Sequence, residues 1–244
     1  MTEWYREDLA HIHDVGFGDY ALKTAPGILE VLNRSGVREG LVVDLGCGSG
    51  LLARELVNAG YRVLGIDISA AMIEIARRRV PEAEFRVGSL FEEEIPPCGA
   101  VVSVGEVFNY LFDLRGDEDA LPRLFRRVHD ALTPGGVFVF DVAEPGQVRR
   151  GVPARGFTEG EDWVVMVERE ENPDRGVLTR RISTFRKVGE SYRRDDEVHR
   201  QRLYRAPEIA GKLRRAGFRV RTMRGYGEFR LPRAHVAFVA RKSA

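Results

Sequence analysis

The chain has 244 residues, enough for a full hydrophobic core in one domain. Its 38 basic and 37 acidic residues nearly cancel, and its composition is that of an ordinary soluble protein. No apolar run approaches the ~20 residues of a membrane span. The first residues (Met1-Thr2-Glu3-Trp4-Tyr5-Arg6-Glu7-Asp8) lack a signal peptide's basic start and apolar core, and two cysteines make no disulfide framework, so a cytoplasmic protein without membrane contact is expected.

In chain order, residues 1–40 read as an N-terminal helical cover. Val42 to Leu45 is an apolar strand, followed by glycines at 46, 48 and 50 and a helix from Leu51 to about Ala59, which Gly60 closes from the C′ position. A second strand, 61–66, ends at Asp67. Ser69 is the expected N-cap of a helix reaching Arg79, which Pro81 terminates. Strands follow at 84–87 and 100–104, the latter uninterruptedly apolar as a strand buried on both faces should be. Residues 117–132 are helical in pattern, and Thr133-Pro134-Gly135-Gly136 turns the chain into a fifth strand, 137–142. The period then changes. Segments 163–168, 178–188 and 192–204 alternate like strands with no helix between them, and their links at 172–176 and 189–190 are hairpin-like. A small antiparallel sheet over 158–204 is therefore expected after strand five. Residues 207–216 return to helix, Gly217 stops it, and 218–226 and 235–241 supply two last strands. Alternating strands and helices predict an α/β fold: a mostly parallel sheet with helices on both faces.

Charge is unevenly placed, with eleven basic against two acidic residues in 205–244. Those basic residues alternate with apolar ones as on solvated strand and helix faces, so no nucleic-acid partner is expected. The inserted segment 158–204 nearly balances, ten basic against eleven acidic, and implies no substrate polarity.

The most informative stretch is Val42-Val43-Asp44-Leu45-Gly46-Cys47-Gly48-Ser49-Gly50. Glycine lets the turn take positive φ and lets a ligand approach the backbone, while the free N–H groups of the helix start face the turn. A dinucleotide-binding turn has the spacing G-x-G-x-x-G. Here the spacing is G-x-G-x-G, with Leu51 where the third dinucleotide glycine would fall, which speaks against a nicotinamide-linked oxidoreductase.

Asp44-Leu45-Gly46-Cys47-Gly48-Ser49-Gly50, with Asp67 one βα unit later, resembles the first motif of class I S-adenosylmethionine-dependent methyltransferases. The resemblance spans the chain and implies a Rossmann-like seven-stranded mixed sheet with its last strand antiparallel. It also implies one domain: cover 1–40, cofactor-binding core 41–150, inserted sheet 158–204 and end of core 205–244. The implied cofactor is S-adenosylmethionine, leaving as S-adenosylhomocysteine. Asp67 is then placed to accept the ribose hydroxyls, Ile68 and Met72 to pack on the adenine, and Asp44 to order the turn and meet the methionine ammonium. Gly46, Gly48 and Gly105 offer backbone, and Ser89 and Leu90 follow strand three near the adenine. Ser89 departs from the acid common there. Trp4, Tyr5, Phe17 and Tyr20 lie in a segment that covers the cofactor in relatives, with Tyr20 the aromatic candidate near the sulfonium. Lys23 reads better as a solvated lysine than as a partner of the methionine carboxylate.

Gly105-Glu106-Val107-Phe108-Asn109-Tyr110 follows strand four, where side chains face the methyl acceptor, and Glu106, Asn109 and Tyr110 are the catalytic candidates. His13, His199 and His235 each stand alone in their segments and read as surface or core. No metal site is expected. The Asn/Asp-Pro-Pro-Tyr/Phe signature of nucleic-acid amino methylation is absent after strand four, as is a Pro-Cys nucleophile. The expected acceptor is a small molecule, at nitrogen rather than oxygen, with a monomer or homodimer left open. The alternatives are an O- or C-methyltransferase of secondary metabolism and a non-catalytic cofactor-binding relative.

Overall fold

The computed structural model describes residues 4–112, 119–149 and 152–243. Two helices, α1 (Glu7–Phe17) and α2 (Asp19–Arg34), precede β1 (Leu41–Leu45), α3 (Leu51–Asn58), β2 (Arg62–Asp67), α4 (Ala70–Arg79) and β3 (Glu84–Val87). Then come β4 (Cys98–Ser103), α5 (Ala120–Ala131) and β5 (Leu132–Ala143); the expected helix start at 117–118 lies outside the described residues. Four long strands follow: β6 (Ala154–Glu159), β7 (Trp163–Asn172), β8 (Val177–Val188) and β9 (Ser191–Arg202). The chain ends through α6 (Ala206–Arg215), β10 (Arg219–Met223), the ribbon strands β11 (Gly225–Tyr226) and β12 (Phe229–Arg230), and β13 (His235–Arg241).

The main sheet has seven strands in the order β10-β13-β5-β4-β1-β2-β3. β13 runs antiparallel to both its neighbours, and the β1, β2, β3, β4 and β5 pairings are parallel. Its two faces separate with period two, as buried strands require. Val43, Leu45, Val101, Phe138, Phe140 and Phe238 face α5 and α6, while Val42, Val102, Val137, Val139 and Val239 face α2 to α4. Among the described residues no helix is long and apolar enough to cross a membrane.

Local signals hold where expected. Ser69 Oγ accepts the Met72 N–H at 3.1 Å as the N-cap of α4, and Gly60 and Gly217 take positive φ just past α3 and α6. Three differences have physical causes. The inserted sheet has four strands, β6-β7-β8-β9, spanning 154–202 rather than three over 158–204. Its extra strand β6 is an edge strand almost wholly exposed, so no buried face imposes an alternation. The Thr133–Gly136 turn falls inside the stretch that pairs with β4, across a register shift between Cys98 and Ala100. Finally, the strand expected over 218–226 breaks after Met223. There Gly225 and Tyr226 fold into a ribbon, where a Cβ on Gly27 of α2 would meet the Tyr226 backbone at 2.2 Å.

Candidate active site

The carboxyl ends of β1, β2 and β4 open into a cavity of about 800 Å³, where ligands of open parallel sheets bind. At one end lies the glycine turn. Gly46 N–H donates to Ile66 O at 2.7 Å, and Gly46 has φ +73° with Val107 packed where a Cβ would stand. Gly48 has φ +52° and nothing within 4 Å of its Cβ position, so its backbone is open to a ligand. Asp67 Oδ2 accepts the Gly48 N–H at 2.8 Å and Oδ1 accepts the Ser69 N–H at 2.9 Å. Asp67, not Asp44 as expected, therefore orders the turn. Its carboxylate keeps further acceptor capacity for hydroxyls. Asp44 is buried with Oδ2 unpartnered, and burial, then the Asp67 charge, push its pKa up to about 7. Ile68, Met72, Leu90, Gly105 and Tyr20 also line the cavity. Ser89 does not, because its hydroxyl turns back to accept the Phe91 N–H of its own loop at 3.1 Å.

At the other end, Asp141 on β5 accepts the Glu106 N–H at 2.6 Å and the Gly105 N–H at 3.1 Å, holding Glu106 at φ +55°. This fixes the Glu106 side chain toward the cavity. Its Oε1 receives Arg180 Nη2 at 2.6 Å, and its Oε2 lies 2.7 Å from His235 Nε2. Burial pulls the Glu106 pKa up, but the Arg180 and His235 charges prevail and hold it at about 2. The other His235 nitrogen, Nδ1, lies 2.9 Å from the Arg233 carbonyl, which can only accept. Both ring nitrogens thus face acceptors. Burial opposes its charge, yet the bond to Glu106 leaves the His235 pKa raised. Tyr110 joins this group, with Arg180 Nη1 3.3 Å and the Tyr5 hydroxyl 2.8 Å from its oxygen.

Asn109 does not face the cavity. It is fully buried, and its amide bonds only backbone: the Ala143 N–H and the carbonyls of Ala143 and Arg202. It clips the loop after β4 to β5 and β9. Lys23 pairs with Asp19 in solvent, and Trp4 does not line the cavity but stacks behind Phe112, which does.

The roof is α1 and the inserted sheet. Leu9, His13 and Phe17, spaced by four, present one stripe of α1 to the cavity, Tyr5 joins them from the segment before the helix, and Val165, Val167, Arg169, Arg180 and Ile182 come from alternate positions of β7 and β8. Burial holds His13 to a pKa of about 4, so it is neutral near pH 7. Sequence reasoning missed His13, Arg180 and His235. Two signals were present: the four-residue spacing in α1, and the start of an antiparallel last strand, which must fall at the carboxyl edge of its parallel neighbours.

Residues 42–136 match a family model described as a methyltransferase domain. That stretch is a methyltransferase domain, and the fold around it is the one shared by S-adenosylmethionine-dependent methyltransferases. YqeM of Bacillus subtilis, named as a methyltransferase, is 28% identical over 191 residues, 75% of this chain and 74% of its own. An S-adenosylmethionine-dependent methyltransferase from Clostridium acetobutylicum shares the fold with a TM-score of 0.81 at 22% identity, covering 96% of this chain and 98% of its own. The sugar N-methyltransferase KedS8 from Streptoalloteichus does so at 0.78 and 20% identity, covering 100% and 98%. The site of this methyltransferase fits its cofactor on its own geometry. The orphaned Asp44 oxygen waits for a cation, and the open Cβ positions of Gly48 and Gly105 leave the backbone accessible.

Proposed function

We propose that the whole chain works as one cytoplasmic methyltransferase domain that moves a methyl group to the nitrogen of a small-molecule acceptor. The observation that carries this reading is the cavity of about 800 Å³, partly covered by α1 and the inserted sheet. A polymer would have to thread beneath that roof. Asp67 holds the ribose, Asp44 the methionine ammonium, and Ile68, Met72 and Leu90 the adenine, with Tyr20, Gly46, Gly48 and Gly105 completing the contact. Glu106 and Tyr110 face the acceptor together with Arg180 and His235.

The bound cofactor supplies an electrophilic methyl group; positioning and exclusion of water supply most of the remaining acceleration. Nitrogen is favoured by the protonation states. Glu106 is held at about 2 and bonded on both oxygens, His235 is bonded on both nitrogens, and His13 is held at about 4. None of these is a base able to ionise a hydroxyl. A neutral amine attacks with its lone pair and needs no prior loss of a proton. Similarity to a sugar N-methyltransferase supports the same choice.

The test is transfer of isotope-labelled methyl to matched panels of amino sugars and small amines, their hydroxyl counterparts, and carboxylic acids, the modified atom being located by mass spectrometry. Labelled amines are the expected result. Label confined to hydroxyls or carboxylates would overturn the nitrogen assignment.

A further inference from the structure

Net charge hides the sidedness of the inserted sheet. Arg169 on β7 and Arg180 on β8 are directly opposite each other in the antiparallel ladder, and both line the cavity. Like charges so placed are destabilising in a sheet, so the arrangement calls for an anion between them. The protein provides less than one. Glu106 bonds Arg180, but it shares its single charge with His235, and Arg180 Nε remains buried with no acceptor. Arg169 has no ion pair among the described residues.

The segment before β13, whose His235 shares Glu106 with Arg180, repeats the excess. Arg233 lines the same cavity, and no carboxylate pairs with its side chain among the described residues. It also lines a neighbouring depression of about 640 Å³, with Arg205 and Arg224. Glu144, the one carboxylate among the described residues there, is taken by Arg224 at 2.6 Å and by the Ala206 N–H at 3.1 Å. Asp44 and Asp67 lie at the far end, beside the glycine turn.

We infer that the methyl acceptor carries an oxyanion, a phosphate or a carboxylate, bound by Arg169, Arg180 and Arg233 away from the atom that receives the methyl group. The planar guanidinium fork suits either group, and the orphaned Arg180 Nε gains its missing acceptor. This rests on the reading of the cavity as a small-molecule acceptor site. The same positive charges disfavour protonation of a nearby amine and so keep it nucleophilic.

The experiment titrates the protein saturated with S-adenosylhomocysteine with inorganic pyrophosphate and, separately, with succinate, by calorimetry at low salt. Saturable one-to-one binding is expected for one of the two, and which one distinguishes phosphate from carboxylate. Arg169→Ala and Arg233→Ala alter exposed side chains that leave the fold intact, and each should weaken that binding by about tenfold. Arg230→Ala, on the ribbon outside the cavity, should not. Absence of binding by both anions, or equal binding by the wild type and both cavity variants, would overturn the inference. Neither anion offers a nitrogen, so the result is independent of the amine assignment. Labelled amines with no anion binding would sink this inference alone, and anion binding with labelled hydroxyls would sink the other alone.

Discussion

The floor and the roof of the cavity are held by different physics. The floor is backbone and hydrocarbon: β1, β2 and β4 are apolar on both faces, and the glycine turn is tied down by the Gly46 and Cys47 N–H groups on Ile66 O. The roof has two small apolar clusters, one of Leu9, Ile12, Trp163, Val165 and Ile182 and one joining Leu178 to Ala143 and Leu203, with Tyr5 packed on Tyr110, Phe112 and His199, and much of the rest of its fastening is charge. Asp8 bonds Arg193 and Arg186, Arg6 bonds Asp195, and Glu197 accepts the backbone N–H groups of both Tyr5 and Arg6 at 2.9 Å. Buried hydrocarbon contributes ~25 cal/mol per Å² with little dependence on salt, whereas the roof pairs set a buried carboxylate, Asp8 or Glu197, against partners nearer the solvent and are partly screened. A preformed floor under a separable roof suits a site whose cofactor must enter and leave.

The sharpest way to break this contrast is at the floor. Asp67→Ala removes the ribose acceptor and also frees the Gly48 and Ser69 N–H groups that shape the turn. S-adenosylhomocysteine should bind ~100-fold more weakly, the scale of one or two hydrogen bonds to a charged group. Calorimetry checks it, and an unchanged dissociation constant would remove Asp67 from the cofactor site.

The corresponding cut in the roof is Glu197→Ala. Two backbone donors and His199 Nε2, 2.7 Å away, lose their acceptor. We expect a loss of ~2 kcal/mol in stability, together with faster amide exchange at residues 4–6. Cofactor affinity should fall less than in Asp67→Ala. Equal losses in the two variants would mean that floor and roof are one cooperative unit.

That division also governs what the sequence revealed. Glycine spacing, strand-end carboxylates and apolar runs are local signals, so the turn, the place of Asp67 at a strand end, Ser69 as N-cap and the mostly parallel sheet could be read directly, whereas the antiparallel last strand followed only from the family resemblance. Asn109 and Ser89 were misassigned because position in a loop does not say which way a side chain turns; Asn109 was drawn inward by the backbone of β5 and β9. His235, Arg180 and Glu106 are separated by up to 129 residues and meet only through topology. A histidine alone in its segment carries no sign of a carboxylate waiting on another strand.

Glu106→Gln tests whether the acceptor end is independent of the cofactor end. The amide keeps the shape but removes the charge facing Arg180 and His235. Turnover on an identified acceptor should fall ~30-fold, about 2 kcal/mol of barrier, while affinity for S-adenosylhomocysteine stays within about twofold. Loss of cofactor binding instead would place Glu106 in the cofactor site.

The smallest effect lies in pH and turns on Asp44, although burial also raises Asp67 and Asp141, the latter to about 6. In the free protein, burial and then the Asp67 charge raise its pKa to about 7. An acid whose folded pKa is raised destabilises the fold progressively as pH climbs from its ordinary ~3.9 to about 7, and no further above that. Cofactor affinity must run the other way, because the methionine ammonium pairs with the ionised form. Between pH 6 and pH 8, S-adenosylhomocysteine binding should tighten by about tenfold and then level off. At pH 6 binding should also release a proton, seen as a dependence of the calorimetric heat on the buffer's ionisation enthalpy. Asp44→Asn should bind weakly and lose both the slope and the proton release. A slope that survives in that variant would assign the titration to another group and leave the buried Asp44 oxygen without its cation.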